Sequence, residues 1–573
     1  VLCCSPWQGL LLLDLNTGKH SPPPFDCGKE IMNMLIDSQN RIWIAPYNEG
    51  IRCFTPDGKQ LASYTTHNSN LNNNVVLSLA EREGKIWIGT DGGGINILEP
   101  ETGRFSLLEH VPGSDNYSLP ANSILCLYND RNNNIWAGSI RNGLISIREV
   151  SMKTYTDVLP GSDRGLSNNT VLSLYQEADD RIWIGTDGGG LNLFNPLTEK
   201  FTHFPSTWED KVASICPFTS GNLLLSIFSQ GVFVFNPSTG KKTPFIIIDS
   251  ETSTRLGSRG KTVNLFQNTP HSVLLLGDHV YQYHLKEQTF SIATEQQGAD
   301  IIGAILPVTN YQNYTYLNDT KHIFRLDNHT NRLEVLYQCS GDTLLNSVSR
   351  DEYGNFWIGN NYGLTHYHPA TQEQTPMPTS LFGEVTQIVC DQQGKVWIGT
   401  DNMLFAWLIK EKKFVLFGES DGVIQNEYLS KPRLLSSQGN IYMGGVKGLL
   451  HINSNLPLIT SEFPQLQLSD VIINGESVND KLSGTPVGIS APWNSNITIR
   501  IMSKEKDIFR QKVYRYQIEG LNDQQIESYN PELAIRSLPP GSYKIMASCT
   551  AKDGSWIPSQ EVLELTILPP WYR

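Results

Sequence analysis

Apolar and polar residues alternate along most of this chain in short runs bounded by Gly, Asn, Asp and Pro. That is the pattern of half-buried strands joined by tight turns. One run recurs. Aligned on its tryptophan, it reads RIWIAPYNEGIRCF from Arg41, KIWIGTDGGGINIL from Lys85, NIWAGSIRNGLISI from Asn134 and RIWIGTDGGGLNLF from Arg181. NFWIGNNYGLTHYH follows from Asn355 and KVWIGTDNMLFAWL from Lys395, with weaker copies from Asn222, Ser272, Tyr314 and Asn440. Trp43, Trp87, Trp136 and Trp183 are 44, 49 and 47 residues apart, a period that suits a four-stranded β-propeller blade.

Each unit predicts four strands. In the clearest copy TVLSLYQ (170–176) is the innermost, RIWIGT the second, GLNLFN the third and KFTHF the outer edge. The flat tryptophan is expected between adjacent blades, where radial closure leaves only short, protected edges. TDGGG reads as the turn between second and third strands, because glycine reaches positive φ without a Cβ penalty. It is not a phosphate cradle: no Lys-Ser/Thr follows, and the next segment is a strand rather than a helix. DEYGNFW and DQQGKVW have the form of the Asp-box of sialidases, a structural turn remote from catalysis.

Ten second-strand anchors are visible, and Gly9 to Lys19 has the character of the outer half of an eleventh blade. Propellers carry about four to eight blades, so the count predicts two rings, the first cut short. Seven blades counted back from the last anchor reach about Asn168. The strand KTYTDV before it is expected to supply the outer strand that the last blade lacks, since GLLHIN is followed by SNLPLITSEFP with no fourth strand of its own. After Pro457 the stretches QLQLSDVIING, NITIRIMSK, KVYRYQIEGLND, LAIRSLPPGSYKIMASCTAKDGSW and EVLELTILPP come at the spacing of an immunoglobulin-like sandwich. The expected organisation is all-β: first-propeller blades over 1–151, a second, seven-bladed propeller over 152–456 and an Ig-like domain over 457–573.

Composition narrows the function. The formal charge is −13 with no basic stretch to offset it, which excludes a nucleic-acid partner. The nine cysteines form no CxxC pair and no metal spacing with histidine, so neither a metal nor another cofactor is expected. Most lie in apolar strand patterns such as ILCLY and QIVCD and read as small buried hydrophobes. There is no initiator methionine, signal peptide or 18-residue apolar stretch, so targeting signals are expected outside this chain.

These WIG blades, followed by VYRYQIEGLND and LPPGSYKIMASCTAKDGSW, resemble the periplasmic sensor regions of Bacteroidetes hybrid two-component systems. The resemblance implies two seven-bladed regulator propellers and a Y_Y_Y domain, then a membrane helix, a histidine kinase and a response regulator with a DNA-binding output. Tyr514, Tyr516 and Tyr543 fall at the tyrosine positions of that domain, while EGLNDQQIESY has Gln where the family has Trp. Trp571, Tyr572 and Arg573 are residue types of a membrane interface, which places the expected transmembrane helix just beyond Arg573. A periplasmic homodimer that binds an oligosaccharide and controls polysaccharide-utilisation genes is the implied whole.

For the ligand, asparagines two positions before the inner strands' first apolar residues (Asn73, Asn122, Asn169, Asn346 and Asn426) either close turns through their own backbone or form a ring of amides for sugar hydroxyls. The loop DSETSTRLGSRGKTV (249–263) departs from the repeat and brings Arg255, Arg259 and Lys261 toward one rim. Trp208 in PSTWED lies in the neighbouring lead-in loop. A Trp platform beside cationic forks suits an acidic or sulfated oligosaccharide. An enzyme such as a lyase or glycosidase would need convergent carboxylates or a His/Tyr base with Arg partners. His203, His271, His322 and His366 instead share no pattern. A protein–protein scaffold leaves the tyrosine-rich module unexplained.

Overall fold

The computed structural model describes the chain except for residues 1, 6–8, 24–26, 29, 111–117, 131–132, 148–149, 151, 159–160, 246, 249–254, 257–262, 296–299, 378–382, 392, 454–464, 479–486, 505–511, 522–524, 552–554 and 571–573. Strands account for almost all regular structure. The only helical segments among the described residues are single turns at Pro205–Thr207, Thr219–Gly221 and Glu419–Asp421, and no helix there is long and apolar enough to cross a membrane. The chain divides into two compact units, Val1–Glu149 and Val150–Arg573.

The first unit is a row of four antiparallel sheets of three, four, four and three strands. Their second strands include Ile42–Pro46, Lys85–Thr90 and Ile135–Ser139, which carry Trp43, Trp87 and Trp136. The segment expected to be half a blade is a sheet of Leu2–Ser5, Gly9–Leu13 and His20–Ser21.

The second unit holds a closed ring of seven sheets. Its inner strands are Val171–Gln176, Val212–Pro217, Asn264–Thr269, Leu306–Tyr311, Leu345–Arg350, Gln387–Cys390 and Tyr428–Leu435. Each packs against the next, and the seventh packs against the first. Met152–Tyr155 pairs antiparallel with Gly448–Ile452 and is the outer strand of the seventh blade. The strand expected to close the ring therefore does so. The fourth blade gains a short fifth strand, Thr294–Glu295, parallel to Arg332–Gln338.

Two residue choices make neighbouring blades fit. The tryptophans fill the wedge to the next blade: Trp183 packs with Val212, Ile215, Leu223 and Leu225, and Trp397 with Tyr428, Ile441 and Met443. The glycine two residues after the tryptophan, as at Gly89, Gly185, Gly359 and Gly399, lets the next blade approach, while Ala45 holds that place after Trp43. A Cβ on Gly399 would sit 2.7 Å from the Tyr428 Cβ, closer than real Cβ contacts allow. The aspartate six residues before the tryptophan ties turn and wedge together. Asp351 Oδ1 accepts the Tyr353 and Asn355 amides at 3.0 and 2.8 Å, and its Oδ2 accepts the Trp357 indole N–H at 3.2 Å. Asp37, Asp130 and Asp391 hold Trp43, Trp136 and Trp397 in the same way at 2.8, 2.9 and 3.3 Å. Where that position holds a glutamate, at 81 and 177, the Trp87 and Trp183 indoles have no acceptor among the described residues. The Asp-box form is thus structural.

The rest of the second unit is a two-sheet sandwich. Glu476–Ser477, Gln465–Ile473, Asn496–Lys504 and Glu532–Arg536 form one sheet; Val487–Pro492, Gln560–Leu568, Gly541–Cys549, Tyr514–Glu519 and Gln525–Ser528 form the other, with its first pair parallel. Ile499, Tyr516, Ile545 and Leu563 are among the residues of their shared core. Tyr514, Tyr516 and Tyr543 are all buried, and the Tyr543 hydroxyl donates to the Pro539 carbonyl at 2.9 Å. Six described cysteines are buried, whereas Cys126 is exposed. The buried-hydrophobe reading of ILCLY fails there, because Leu125, Cys126 and Tyr128 lie on a face of the first unit's last sheet that no strand covers among the described residues.

Two outcomes test this account. Asp351→Ala leaves a buried indole and two amides without their acceptor, so urea unfolding should show a loss of about 2–3 kcal/mol, with Asp351→Asn losing less. On the seventh blade His451 stacks on Tyr442 at 4.7 Å, and burial lowers its pKa to about 4. The unfolded chain takes up a proton that the folded chain refuses. Stability should therefore be whole above pH ~6.5 and decline as pH falls from there to about 4, by up to ~3 kcal/mol. His451→Gln should flatten that part of a stability–pH curve.

Candidate functional site

In the ring, the loops leading into the inner strands share a face with the turns between second and third strands. The first blade shows how they interlock. Thr186 Oγ1 donates to the Gly190 carbonyl at 2.9 Å and closes the TDGGG turn, while the Gly188 amide donates to the Asp210 carbonyl at 3.1 Å. Asp187 is bridged to Lys211 on the next lead-in loop, Nζ to Oδ1 2.8 Å. Gly188 and Gly190 have φ of 88° and 72°, so the run is a turn, as its composition predicts.

At this face the ring opens into a cavity of about 450 Å³. Asp187, Lys211, Phe228, Lys431 and Pro432 line it, from the first, second and seventh blades. Phe228 is 57% exposed on the turn of the second blade, held there by its amide on the Lys211 carbonyl at 2.9 Å. Below lies the channel of the ring, a further cavity of about 400 Å³ walled by five of the seven inner strands. Ala213, Ser430 and Lys431 line both spaces and mark their junction.

The seventh inner strand breaks the repeat at that junction. In most blades the inner strand opens with a one-residue bulge, as where Val171 faces Thr186 and Ser173 faces Gly185. In the seventh, Tyr428 faces Gly445 and the next paired residue is Arg433, facing Met443. Residues 429–432 are therefore out of register. Pro432 cannot donate to a ladder, and the Gln387 side chain pins the bulge by donating to the carbonyls of Leu429, Pro432 and Gly444. Arg433 reaches across to the fifth blade, donating to Ser347 Oγ and to the Val348 carbonyl, the latter at 2.6 Å. Burial lowers the pKa of Arg433 to about 10 and also lowers that of Lys431.

The residues expected at a site are placed as follows. Trp208 ends the Pro205–Thr207 turn, three residues before Lys211, and is 52% exposed, but it does not line the cavity. Arg255 pairs by its backbone with Ile248 in a short hairpin, Ile247–Ile248 with Arg255–Leu256; its side chain, and all of Arg259 and Lys261, lie outside the described residues. The asparagine amides bind protein. Asn73 accepts its own loop's Val75 amide at 2.8 Å and Asn122 the His110 amide at 2.6 Å. Asn169 accepts the Asp157 amide and donates to its carboxylate, at 2.7 and 2.6 Å. Asn346 donates to Glu384 at 2.8 Å, and buried Asn426 accepts the Lys447 amide at 2.8 Å. Only Asn73 closes a turn on its own loop by the expected two-residue bond; the others tie one loop to another.

Phe228 and Lys431 were not singled out by sequence. The signals were present: SIFSQG stands where the first blade has GTDGGG, and SKPR puts a proline inside a strand. Three of the four histidines are engaged by the protein itself, and His271 is exposed. His203 contacts the Gly165 carbonyl at 2.9 Å, buried His322 pairs with Asp319 at 3.1 Å, and His366 stacks on Trp357 at 4.2 Å. The mouth holds one carboxylate, Asp187, already paired with Lys211, and no second one for glycosidic acid–base work among the described lining residues.

Known proteins corroborate the architecture. The Two component regulator propeller family matches residues 70–92, 118–141, 165–188 and 380–402, and the Y_Y_Y domain family matches 505–568. Histidine kinase P4 of Formosa agariphila is 22% identical over 204 residues, 33% of this chain and 14% of that kinase, so the match spans far less than two thirds of its length. The crystal structure of the extracellular domain of a hybrid two component system from B. thetaiotaomicron superposes with a TM-score of 0.70 at 18% identity, over 99% of this chain and 83% of that one, and shares the fold. The chain thus carries segments that match two component regulator propeller repeats and a C-terminal segment that matches the Y_Y_Y domain family.

Proposed function

We propose that this chain is the extracytoplasmic, non-catalytic ligand-sensing region of a hybrid two-component system, and that it binds an oligosaccharide at the lead-in face of the seven-bladed ring. The observation that carries the reading is the open mouth of about 450 Å³ with exposed Phe228 at its edge. An aromatic face with a few fixed polar groups suits a sugar ring, which presents apolar C–H faces between hydroxyls. Trp208 is exposed on the loop that leads to Lys211, and Arg255 lies on the short hairpin that follows the second blade.

Support for sensing comes from the propeller and Y_Y_Y combination, which the Bacteroides extracellular domain shares in fold, and from the kinase relative. In this reading the chain acts as a periplasmic homodimer. A membrane helix follows Arg573, and the Y_Y_Y domain passes a ligand-dependent change in dimer geometry to a kinase that controls polysaccharide-utilisation genes. Such signalling requires that the ligand prefer one of two dimer states.

Calorimetry of the whole chain against neutral, uronic and sulfated oligosaccharides tests this. The expected result is binding without turnover, weakened about tenfold by Phe228→Ala or Trp208→Ala and also by Arg255→Ala, at an unchanged thermal midpoint. Unaltered affinity in all three variants would move the site elsewhere, and any hydrolysis or elimination product would overturn the non-catalytic reading.

A further inference from the structure

The channel beneath the mouth has a chemistry that a scaffold does not require. Lys431 stands at the junction of mouth and channel on the pinned, out-of-register segment 429–432. Its ammonium has no hydrogen bond or ion pair with any described residue. Arg433, two residues further and facing the same channel, gives two of its bonds to a hydroxyl and a carbonyl and meets no carboxylate among the described residues. The described lining of the channel contains no aspartate or glutamate, in a chain whose formal charge is −13. Its other polar lining is neutral and includes Ser430, Asn264 and Gln267.

Lys431 is exposed where mouth and channel meet, within reach of an incoming ligand, and the ring around it takes part of the water from its ammonium. The strand that carries it is also locally built. Gln387 spends its amide on the bulge that carries Lys431, and Arg433 anchors the far side of the same strand to the fifth blade. Burial disfavours the charged form of both groups, and an oxyanion arriving between them would restore it through charge-assisted hydrogen bonds.

We propose that the channel of the seven-bladed ring is a binding site for an oxyanion, a carboxylate or sulfate, held by Lys431 with Arg433 beneath it. The proposal deepens the reading of the mouth as a ligand site and rests on it for the identity of the natural ligand: the anion is the acidic substituent of a sugar whose ring lies against Phe228. The site itself is defined by the channel residues alone, and a small anion is enough to probe it.

The experiment is thermal unfolding and calorimetry of the whole chain with sodium sulfate and with sodium glucuronate, each matched in ionic strength by sodium chloride. Both oxyanions should raise the thermal midpoint above the chloride control. Lys431→Met should abolish that rise, weaken the measured affinity by about tenfold or more, and have a midpoint in chloride no lower than the parent's. Lys431→Arg should retain binding. A response to glucuronate and not to sulfate, or the reverse, assigns the site to that one group. An oxyanion effect unchanged in Lys431→Met, or no effect in the parent chain, would overturn the proposal. Failure of the sensor reading looks different: sulfate then protects through Lys431 while no oligosaccharide binds. Conversely, neutral oligosaccharides bound through Phe228 with equal affinity in parent and Lys431→Met would leave the sensor reading standing and remove this one.

Discussion

A ring of sheets is stable only if it closes, and closure here rests on Met152–Tyr155. These four residues come from the start of the ring's sequence yet complete its last blade. Without them the third strand of that blade would expose an unpaired edge. Packing locks the strand in place: Met152 joins the core of the seventh blade, and Tyr155 joins that of the first, against Phe194 and Phe201. Lys153 and Tyr155 both bond Glu199 of the first blade, at 2.5 and 3.1 Å. One strand thereby holds both sides of the seam.

Within the ring, fit is a matter of volume between radiating sheets. The large flat tryptophan fills the space where blades diverge, and the glycine after it empties the space where they converge. This pairing of large and small is why WIG repeats as a unit, and why the architecture could be read from the chain. Both positions face a neighbouring blade built on the same repeat. The closing strand was legible for a related reason, since GLLHIN lacked a fourth strand and KTYTDV lacked a blade. The aspartate was legible as a turn but not as the acceptor for an indole, because that bond depends on where a side chain six residues away comes to rest.

The proposed site was less legible. Sequence reasoning sought it in the longest departure from the repeat, the loop around Arg255, and in asparagines that recur. The recurring asparagines each bond at least one protein group of their own or an adjoining loop. Phe228 and Lys431 sit instead in short departures, a turn that loses its glycines and a strand that admits a proline. Nothing in one dimension shows that the second and seventh blades bring these two residues to one mouth. That follows only from closing the circle.

The seam also governs how the molecule comes into being. Met152 and its partner Ile452 lie about 300 residues apart in the chain, so the contact that completes the ring is among the most distant in sequence that the fold contains. On the ribosome the closing strand emerges first and must wait for six blades and most of a seventh before its partner exists. During that interval it is an unpaired strand beside a growing, open stack of sheets. Folding of this domain is therefore bounded by synthesis and by the search across a long loop, and the nascent chain presents to chaperones an edge that the finished protein never shows.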